Sequence, residues 1–202
     1  MSASNLLSDL AAIVGQPNVL TSDADRSFYA MDVYNQLETP LAVVQPATID
    51  ELQKAVRTIT SAGVAVVPRG GGASYTDGYL PTTANSILLD TTRLNRIVEI
   101  NATDMYVIVE PGLTWAELWQ ELAKQGLRTT FWGPFSGIKA TVGGSMSQNS
   151  ASLGSGNYGV SADAALGFDI VLANGEILKT SSGAAANGVP FFRWYGPDLT
   201  GL

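Results

Sequence analysis

The stretch Pro68-Arg69-Gly70-Gly71-Gly72-Ala73-Ser74-Tyr75-Thr76-Asp77-Gly78, called the glycine loop below, organises the first half of the chain. It follows the apolar run 64–67 and precedes the segment 86–90, which has the pattern of a strand, so it joins two predicted strands. Glycine reaches positive φ and lets a ligand approach the backbone, and successive N–H groups in such a loop bind anions. The sequence therefore predicts a phosphate or pyrophosphate site between two strands.

Two familiar phosphate loops do not fit this pattern. A dinucleotide-binding loop of the Rossmann type opens a helix directly after its glycines, and a Walker loop ends in Gly-Lys-Ser/Thr. Here Ser74 and Thr76 add hydroxyl donors, but the chain continues into a strand, so the dipole of a helix does not assist binding. A glycine-rich turn without a ligand is the alternative at this point.

The composition narrows the class of protein. The 202 residues carry a formal net charge of -7, with 46% hydrophobic and 14% charged residues, which is typical of a globular protein. Nucleic acids and anionic membrane surfaces bind proteins through clustered Lys and Arg. Because acidic residues outnumber basic ones in this chain, we expect neither as a partner. No apolar run approaches the ~20 residues of a membrane span. The first residues lack the pattern of a secretory signal, which predicts a cytoplasmic location.

The chain contains no cysteine and no histidine. This excludes disulfides, thiolate nucleophiles, Ser-His-Asp triads and zinc sites of the Cys/His type. Any chemistry must use carboxylates, Tyr, Lys, Arg or a cofactor, and cofactors carry the reactions that side chains cannot perform.

The first half of the chain has the pattern of a helix, an irregular segment and a β-α-β unit. Helical spacing of leucines predicts a helix over 5–14, and weak patterning predicts mostly loop over 16–39. A short strand, 41–44, precedes a helix that a capping box of Thr48 and Glu51 opens. Because this helix leads to the strand before the glycine loop, the two strands should be parallel.

The second half combines two predicted hairpins with an aperiodic segment. The strand-like segments 96–100 and 105–109 flank the turn 101–104 and predict one hairpin. The second hairpin, 168–178, carries Asn174-Gly175, the signal of a type I′ turn. Residues 131–159 are rich in Gly, Ser and Asn and lack periodicity, but their interspersed aromatic residues indicate an ordered, functional segment.

One clear helix is predicted between these segments. A capping box of Thr114 and Glu117 opens it. Its apolar face recurs at helical spacing and consists of Trp115, Leu118, Trp119 and Leu122. This spacing predicts that both tryptophans belong to the core and not to a ligand site.

Five motifs in order resemble the FAD-binding domain of the vanillyl-alcohol oxidase / p-cresol methylhydroxylase (PCMH) flavoprotein family. The glycine loop resembles the pyrophosphate loop of that family. The other four are the stretch 89–97, the turn Val109-Glu110-Pro111-Gly112, the segment Thr141-Val142-Gly143-Gly144 with Asn149 and Tyr158-Gly159, and the hairpin 168–176. The likeness runs from about residue 41 to residue 202.

The resemblance implies an α+β fold of the PCMH type. After an N-terminal helix and lead-in, 1–40, it implies a small parallel β-α-β subdomain, about 41–100. A larger subdomain with a mixed or antiparallel sheet and flanking helices would follow over about 101–202.

The resemblance also implies FAD as the cofactor and assigns residues to it. Backbone groups of 69–74 would hold the pyrophosphate, 141–144 would lie beside the ribityl chain and isoalloxazine, and Gly159, Ala165 and Ile170 would lie near the adenosine half. The full predicted set is Arg69, Gly70, Gly71, Gly72, Ala73, Ser74, Gly78, Pro134, Thr141, Val142, Gly143, Gly144, Ser147, Asn149, Gly159, Ala165 and Ile170.

Two departures from the family pattern matter. Ala73 stands where many relatives carry a histidine that attaches the flavin, so we expect FAD to be held non-covalently. In relatives the segment 196–202 continues into a strand that completes the FAD site and then into a substrate domain. The resemblance therefore implies a C-terminally incomplete piece of a longer enzyme, without the substrate domain and inactive alone.

The implied function is that of a flavin-dependent oxidase or dehydrogenase. It would oxidise an alcohol, a hydroxy acid or a similar small molecule by hydride transfer to flavin N5, with catalytic residues unknown and Tyr75 and Trp132 as candidates for the flavin edge. The aromatic end, 191–195, predicts a homo-oligomer or a partner chain that covers it. The alternative is a non-enzymatic nucleotide-binding or assembly module whose glycine loops are structural.

Overall fold

The computed structural model describes residues 3–130 and 136–181. These residues form two compact units: the first contains the chain up to Leu94 together with 171–176, and the second contains the other described residues. The predicted α+β class, with parallel and antiparallel sheets, is confirmed. Three predicted features, Pro134, Trp132 and the aromatic end, lie outside the described residues.

The first unit is built on a four-stranded sheet with the order β1-β2-β4-β3. Its strands are β1 (Val19–Leu20), β2 (Ala42–Val44), β3 (Ala65–Arg69) and β4 (Ser86–Asp90). As predicted, β2 and β3 run in the same direction, because each pairs in parallel with β4, which lies between them. All five residues of β4 are buried, which explains why apolar side chains follow one another at 87–89 instead of alternating with polar ones.

Two helices of the first unit pack in one core with this sheet. They are α1 (Ala3–Val14) and α3 (Ile49–Ser61), and their core residues include Leu6, Leu10, Val14, Val56 and Ile59 with Ile87 and Leu89 of β4. The predicted cap of α3 is present, because Thr48 Oγ1 accepts from the N–H of Glu51 at 3.1 Å. The Glu51 carboxylate reaches the N–H of Ala47, one residue before the cap, at 2.7 Å.

The prediction of mostly loop over 16–39 is wrong. The structure has a 3-10 helix, Gln16–Asn18, then β1, then α2 (Asp23–Tyr29). Ser22 caps α2 by accepting from the N–H of Asp25 at 3.1 Å. A helix of seven residues is too short to show apolar periodicity, so its cap is the only local signal.

The second unit combines an antiparallel hairpin with helices. The hairpin consists of β5 (Ile97–Asn101) and β6 (Tyr106–Val109), as predicted. The helices are α4 (Trp115–Ala123), α5 (Val142–Ser147), α6 (Ser155–Tyr158) and α7 (Ser161–Ala164). The core of this unit contains Leu113, Trp115, Leu118, Leu122 and Val142.

The capping box that opens α4 is confirmed, but only one of its tryptophans lies in the core. Trp115 is buried, and its indole N–H donates to Ser145 Oγ of α5 at 2.8 Å. Trp119 is 47% exposed, so the core prediction is wrong for this residue. The buried stripe of α4 runs through 115, 118 and 122, which leaves 119 at its edge.

The predicted second hairpin is present as β7 (Asp169–Val171) and β8 (Ile177–Lys179). Its turn is not type I′, because Gly175 has φ +77° but Asn174 keeps a negative φ. The Gly175 N–H donates to Leu172 O at 2.8 Å, so Gly175 is the last residue of a four-residue turn that begins at Leu172. This is the pattern of a three-residue hairpin loop with a glycine bulge. The tip belongs to the first unit, where Gln53 Nε2 of α3 donates to Gly175 O at 2.8 Å.

Candidate functional site

The glycine loop follows β3 directly and carries a row of unused donors. Within the residues that the structure describes, the backbone N–H groups of Gly70, Gly71, Gly72 and Ala73 donate no hydrogen bond. These four residues are half-buried, and their amides bond to water until another acceptor reaches them. Consecutive free amides are the chemistry that binds phosphate oxygens. The loop thus has the donors that a diphosphate requires.

Gly72 has a backbone conformation that favours glycine. Its φ is +64°, a left-handed conformation that side chains with a Cβ adopt at a cost of roughly 1–2 kcal/mol. A Cβ at this position would also overlap the guanidinium group of Arg69. The turn of the loop and the position of Arg69 therefore depend on each other.

An aspartate that the sequence analysis did not single out anchors the far end of the loop. The buried Asp32 accepts from the N–H groups of Tyr34 and Asn35, both at 2.7 Å, and from the N–H of Asp77 at 3.1 Å. Asn35 Nδ2 also donates to Asp77 Oδ1 at 2.8 Å. Asp77 has φ +59°, so these bonds hold it in an uncommon conformation.

The charge of Asp32 is maintained by the same bonds. Hydrogen bonds from the backbone of Asn35 and Tyr34 hold the pKa of the Asp32 carboxyl below its usual value. The carboxylate is therefore ionised at neutral pH and accepts from all three amides. Its only sequence signal is a turn pattern, an aspartate two and three residues before its amide donors, inside the segment predicted as loop.

A second buried aspartate supports the aromatic rings around Arg69. Asp90 at the end of β4 accepts from the Tyr29 hydroxyl at 3.0 Å and from Gln45 Nε2 at 2.7 Å. Burial and the charge of Asp90 raise the pKa of Tyr29 to about 12. Tyr29 thus keeps its proton at neutral pH, and its ring lies 4.9 Å from the guanidinium carbon of Arg69.

The second predicted flavin segment forms the start of α5. Thr141 is the N-cap, and its Oγ1 accepts from the Gly144 N–H at 3.2 Å. A Cβ on Gly143 would lie 2.5 Å from Pro111 Cβ and 2.8 Å from Pro111 Cα, so close packing alone explains this glycine. A Cβ on Gly144 would meet only Thr141 Oγ1 within 4 Å, at 3.2 Å. Of the pair, Gly144 leaves the space that a ligand could use.

Other predicted site residues of the second unit lie in and after α5. Ser147 Oγ donates to Gly143 O at 3.0 Å, and Asn149 Oδ1 accepts from the N–H of Ala162 at 2.9 Å. Asn149 has φ +46° and so ends α5 while it anchors the start of α7. These contacts give Ser147 and Asn149 structural roles within the unit.

The remaining predicted residues lie on turns or on the β7 strand. Gly159 has φ +81°, and a Cβ there would overlap the Asp163 carboxylate. Ala165 follows α7, Ile170 is half-buried in β7, and Gly78 lies in an exposed turn of the glycine loop. Val142 is buried in the core of the second unit.

The candidate for the flavin edge that the structure describes, Tyr75, is 67% exposed. Its ring makes an edge contact with Tyr34, with the ring centroids 6.4 Å apart. This geometry gives Tyr75 a contact with another aromatic ring and no catalytic role.

The donor set fits a phosphorylated organic cofactor. The four amides match phosphate oxygens, and no group of three or more His, Cys, Asp or Glu side chains that could hold a metal occurs in 3–130 or 136–181. Among the same residues, no helix combines the length and apolar character needed to cross a membrane.

Comparison with known proteins identifies the cofactor. Residues 40–181 match the protein family described as "FAD binding domain", which covers well over half of the chain. The matched region includes the glycine loop, the start of α5 and both arms of the second hairpin.

Individual relatives agree with this match. The chain is 33% identical over 196 residues to the glycolate oxidase subunit GlcD of Bacillus subtilis, covering 96% of this chain and 40% of the relative. It is 29% identical over 200 residues to a mitochondrial D-lactate dehydrogenase [cytochrome] of Arabidopsis thaliana, covering 98% of this chain and 33% of the relative. The chain therefore spans well under half the length of these relatives.

A solved structure shows the same fold. Crystalline p-cresol methylhydroxylase with substrate bound superimposes with a TM-score of 0.82 at 23% identity, over 97% of this chain and 39% of that chain. At this identity the likeness establishes the fold alone. Together with the family match, it shows that the chain belongs to the FAD-binding domain family, with FAD as its cofactor and a PCMH-type fold.

Proposed function

We propose that the protein is the FAD-binding part of a flavin-dependent oxidoreductase that oxidises a small hydroxy acid or a related alcohol. The observation that carries this proposal is the family match over 40–181, which contains the row of free amides after β3. The names of two relatives, a glycolate oxidase subunit and a D-lactate dehydrogenase, support 2-hydroxy acids as the substrate class.

In this proposal each part of the chain has a binding role. The N–H groups of 70–73, with Ser74 and Gly78, hold the diphosphate, and Asp32 fixes the far end of their loop. The segment 141–144 is assigned to the flavin, and the other residues assigned to FAD are Pro134, Ser147, Asn149, Gly159, Ala165 and Ile170. Bound FAD supplies the hydride acceptor.

The test of this function uses the full-length protein under anaerobic conditions. We expect glycolate or D-lactate to bleach the flavin absorbance near 450 nm at enzyme-like rates, as hydride transfer requires. p-Cresol serves as the comparison substrate. A flavin that binds but is reduced by none of a panel of alcohols, phenols and 2-hydroxy acids would instead support a non-enzymatic FAD-binding module.

The flavin is expected to be attached without a covalent bond. Ala73 offers no nucleophile, and the sequence has no histidine or cysteine anywhere in its 202 residues. Precipitation with acid should therefore release all the flavin into the supernatant, and the pellet should be colourless. Yellow colour retained in the washed pellet would contradict non-covalent binding.

The full-length protein is also proposed to have a partner chain. The name "glycolate oxidase subunit" supports a different partner chain for the full-length protein. The alternative is a homo-oligomer, in which the partner is a second copy of the same chain. The cytoplasmic location stays a prediction from the sequence.

A further inference from the structure

Arg69 differs from the other cations around it. Within the described residues its side chain makes no ion pair and no hydrogen bond, and its Nε is buried without a partner. The other cations of the first unit, Arg26, Lys54, Arg57 and Arg93, each donate to a carboxylate or a carbonyl. The partner of Arg69 across the sheet, the buried Asp90, is hydrogen-bonded to Tyr29 and Gln45 and makes no ion pair with Arg69. A partly buried guanidinium without a direct hydrogen-bond acceptor is unfavourable, so its position needs an explanation.

Three aromatic rings hold the guanidinium group in place. Its central carbon lies 4.9 Å from the ring centre of Tyr29, 5.1 Å from that of Tyr79 and 5.9 Å from that of Phe28. Rings attract a cation through their electron-rich faces but do not neutralise it. The cage therefore fixes the position of the positive charge and leaves it available to an anion.

This charge lies against the part of the loop that carries the free amides. The guanidinium group occupies the place where a Cβ of Gly72 would lie, and Gly72 is one of the four residues whose N–H groups are unused. The protein as a whole has a net charge of -7, which repels an anionic ligand. A diphosphate therefore needs local positive charge, and the backbone amides supply only partial charges.

We propose that the Arg69 side chain is the counter-charge for the diphosphate of FAD and acts from the Gly72 side of the glycine loop. This goes beyond a role for its backbone, and it rests on the FAD-binding function of the chain. The aromatic cage keeps the guanidinium from pairing with a carboxylate of the protein, so the charge is preorganised for the ligand.

The test compares FAD with riboflavin, which has the same ring system but no phosphate. Equilibrium affinities of the flavin-free protein are measured for both ligands by quenching of flavin fluorescence. Arg69→Met keeps the apolar stem and removes the charge, and it should weaken FAD about 10- to 100-fold, the effect of a charge-assisted hydrogen bond, while riboflavin changes less than about 3-fold. Lys54→Met makes the same change of net charge on an exposed residue of α3 and should alter neither affinity.

Each outcome of these measurements decides for or against the proposal. An equal loss for both ligands in Arg69→Met would show that Arg69 only supports the fold of the loop, and no loss for FAD would also overturn the proposal. If Arg69→Met does not fold, the salt dependence of the unaltered protein decides: FAD affinity should fall with added NaCl while riboflavin affinity does not. FAD affinity that rises with salt, as the net charge alone would cause, contradicts the role of Arg69. Failure of the unaltered protein to bind FAD would instead refute the FAD-binding function itself.

Discussion

Gly72→Ala is expected to abolish tight FAD binding in a protein that still folds. The added Cβ would overlap the Arg69 guanidinium, and the φ of +64° would be strained. Relief of the overlap displaces the Arg69 guanidinium or shifts the loop, and either movement disturbs the donors that the diphosphate needs. Loss of two charge-assisted hydrogen bonds, at about 1.5–3 kcal/mol each, weakens FAD by roughly 100-fold or more. Flavin fluorescence titration measures this effect.

Gly63→Ala is the matched control for this change. Gly63 has a similar φ of +71°, but a Cβ there meets nothing within 4 Å and it lies after α3, away from the loop. Both variants should lose roughly 1–2 kcal/mol of unfolding free energy from left-handed strain, measured by urea denaturation. Only Gly72→Ala should lose FAD. Equal FAD affinity in the two variants would remove Gly72 from the binding account.

Gly143→Ala is expected to destabilise the fold of the second unit itself. Its Cβ would lie 2.5–2.8 Å from the Cβ, Cα and O atoms of Pro111, and the ring of Pro111 fixes its φ, which limits how far this backbone can move away. Gly143 N–H also donates to Pro111 O at 2.9 Å. Moving the start of α5 away from Pro111 to make room for the Cβ would therefore break this hydrogen bond. We expect a loss of about 3 kcal/mol in unfolding free energy, at the upper end for overpacking.

Gly156→Ala provides the comparison within the same unit. Gly156 lies inside α6, and a Cβ built on it meets nothing within 4 Å. Alanine there should be neutral or should stabilise the helix by up to about 1 kcal/mol. A Gly143→Ala variant as stable as Gly156→Ala would show that α5 and Pro111 are not closely packed in solution.

The sequence predicts the features that short-range chemistry determines. Apolar runs give the strands on both sides of the glycine loop, and capping residues such as Thr114 give helix starts, because these signals act within a few residues. The succession of a strand, a helix and a strand gives the parallel direction of β2 and β3. The position of β4 between them follows from long-range pairing, which no local pattern encodes.

The details of the site depend on contacts between distant residues. Three consecutive glycines look alike in the sequence, and only the structure distinguishes Gly72, by its positive φ and by the nearby Arg69 guanidinium. Asp32 is 45 residues from its partner Asp77, so the anchor of the loop has no local signature beyond its own turn. Gly143 looked like a flavin contact, whereas its packing against Pro111 explains it without a ligand.

The most direct test of the central claim, that the glycine loop binds FAD, is amide hydrogen exchange. Exchange over a peptide containing 70–73 is measured with and without saturating FAD, with the exposed α3 surface around Lys54 as an internal reference. Because the four N–H groups have no acceptor within the described residues, they should exchange fast in the flavin-free protein and slow markedly when phosphate oxygens accept from them. Unchanged exchange over 70–73 in a protein that demonstrably holds FAD would contradict the account and place the diphosphate elsewhere.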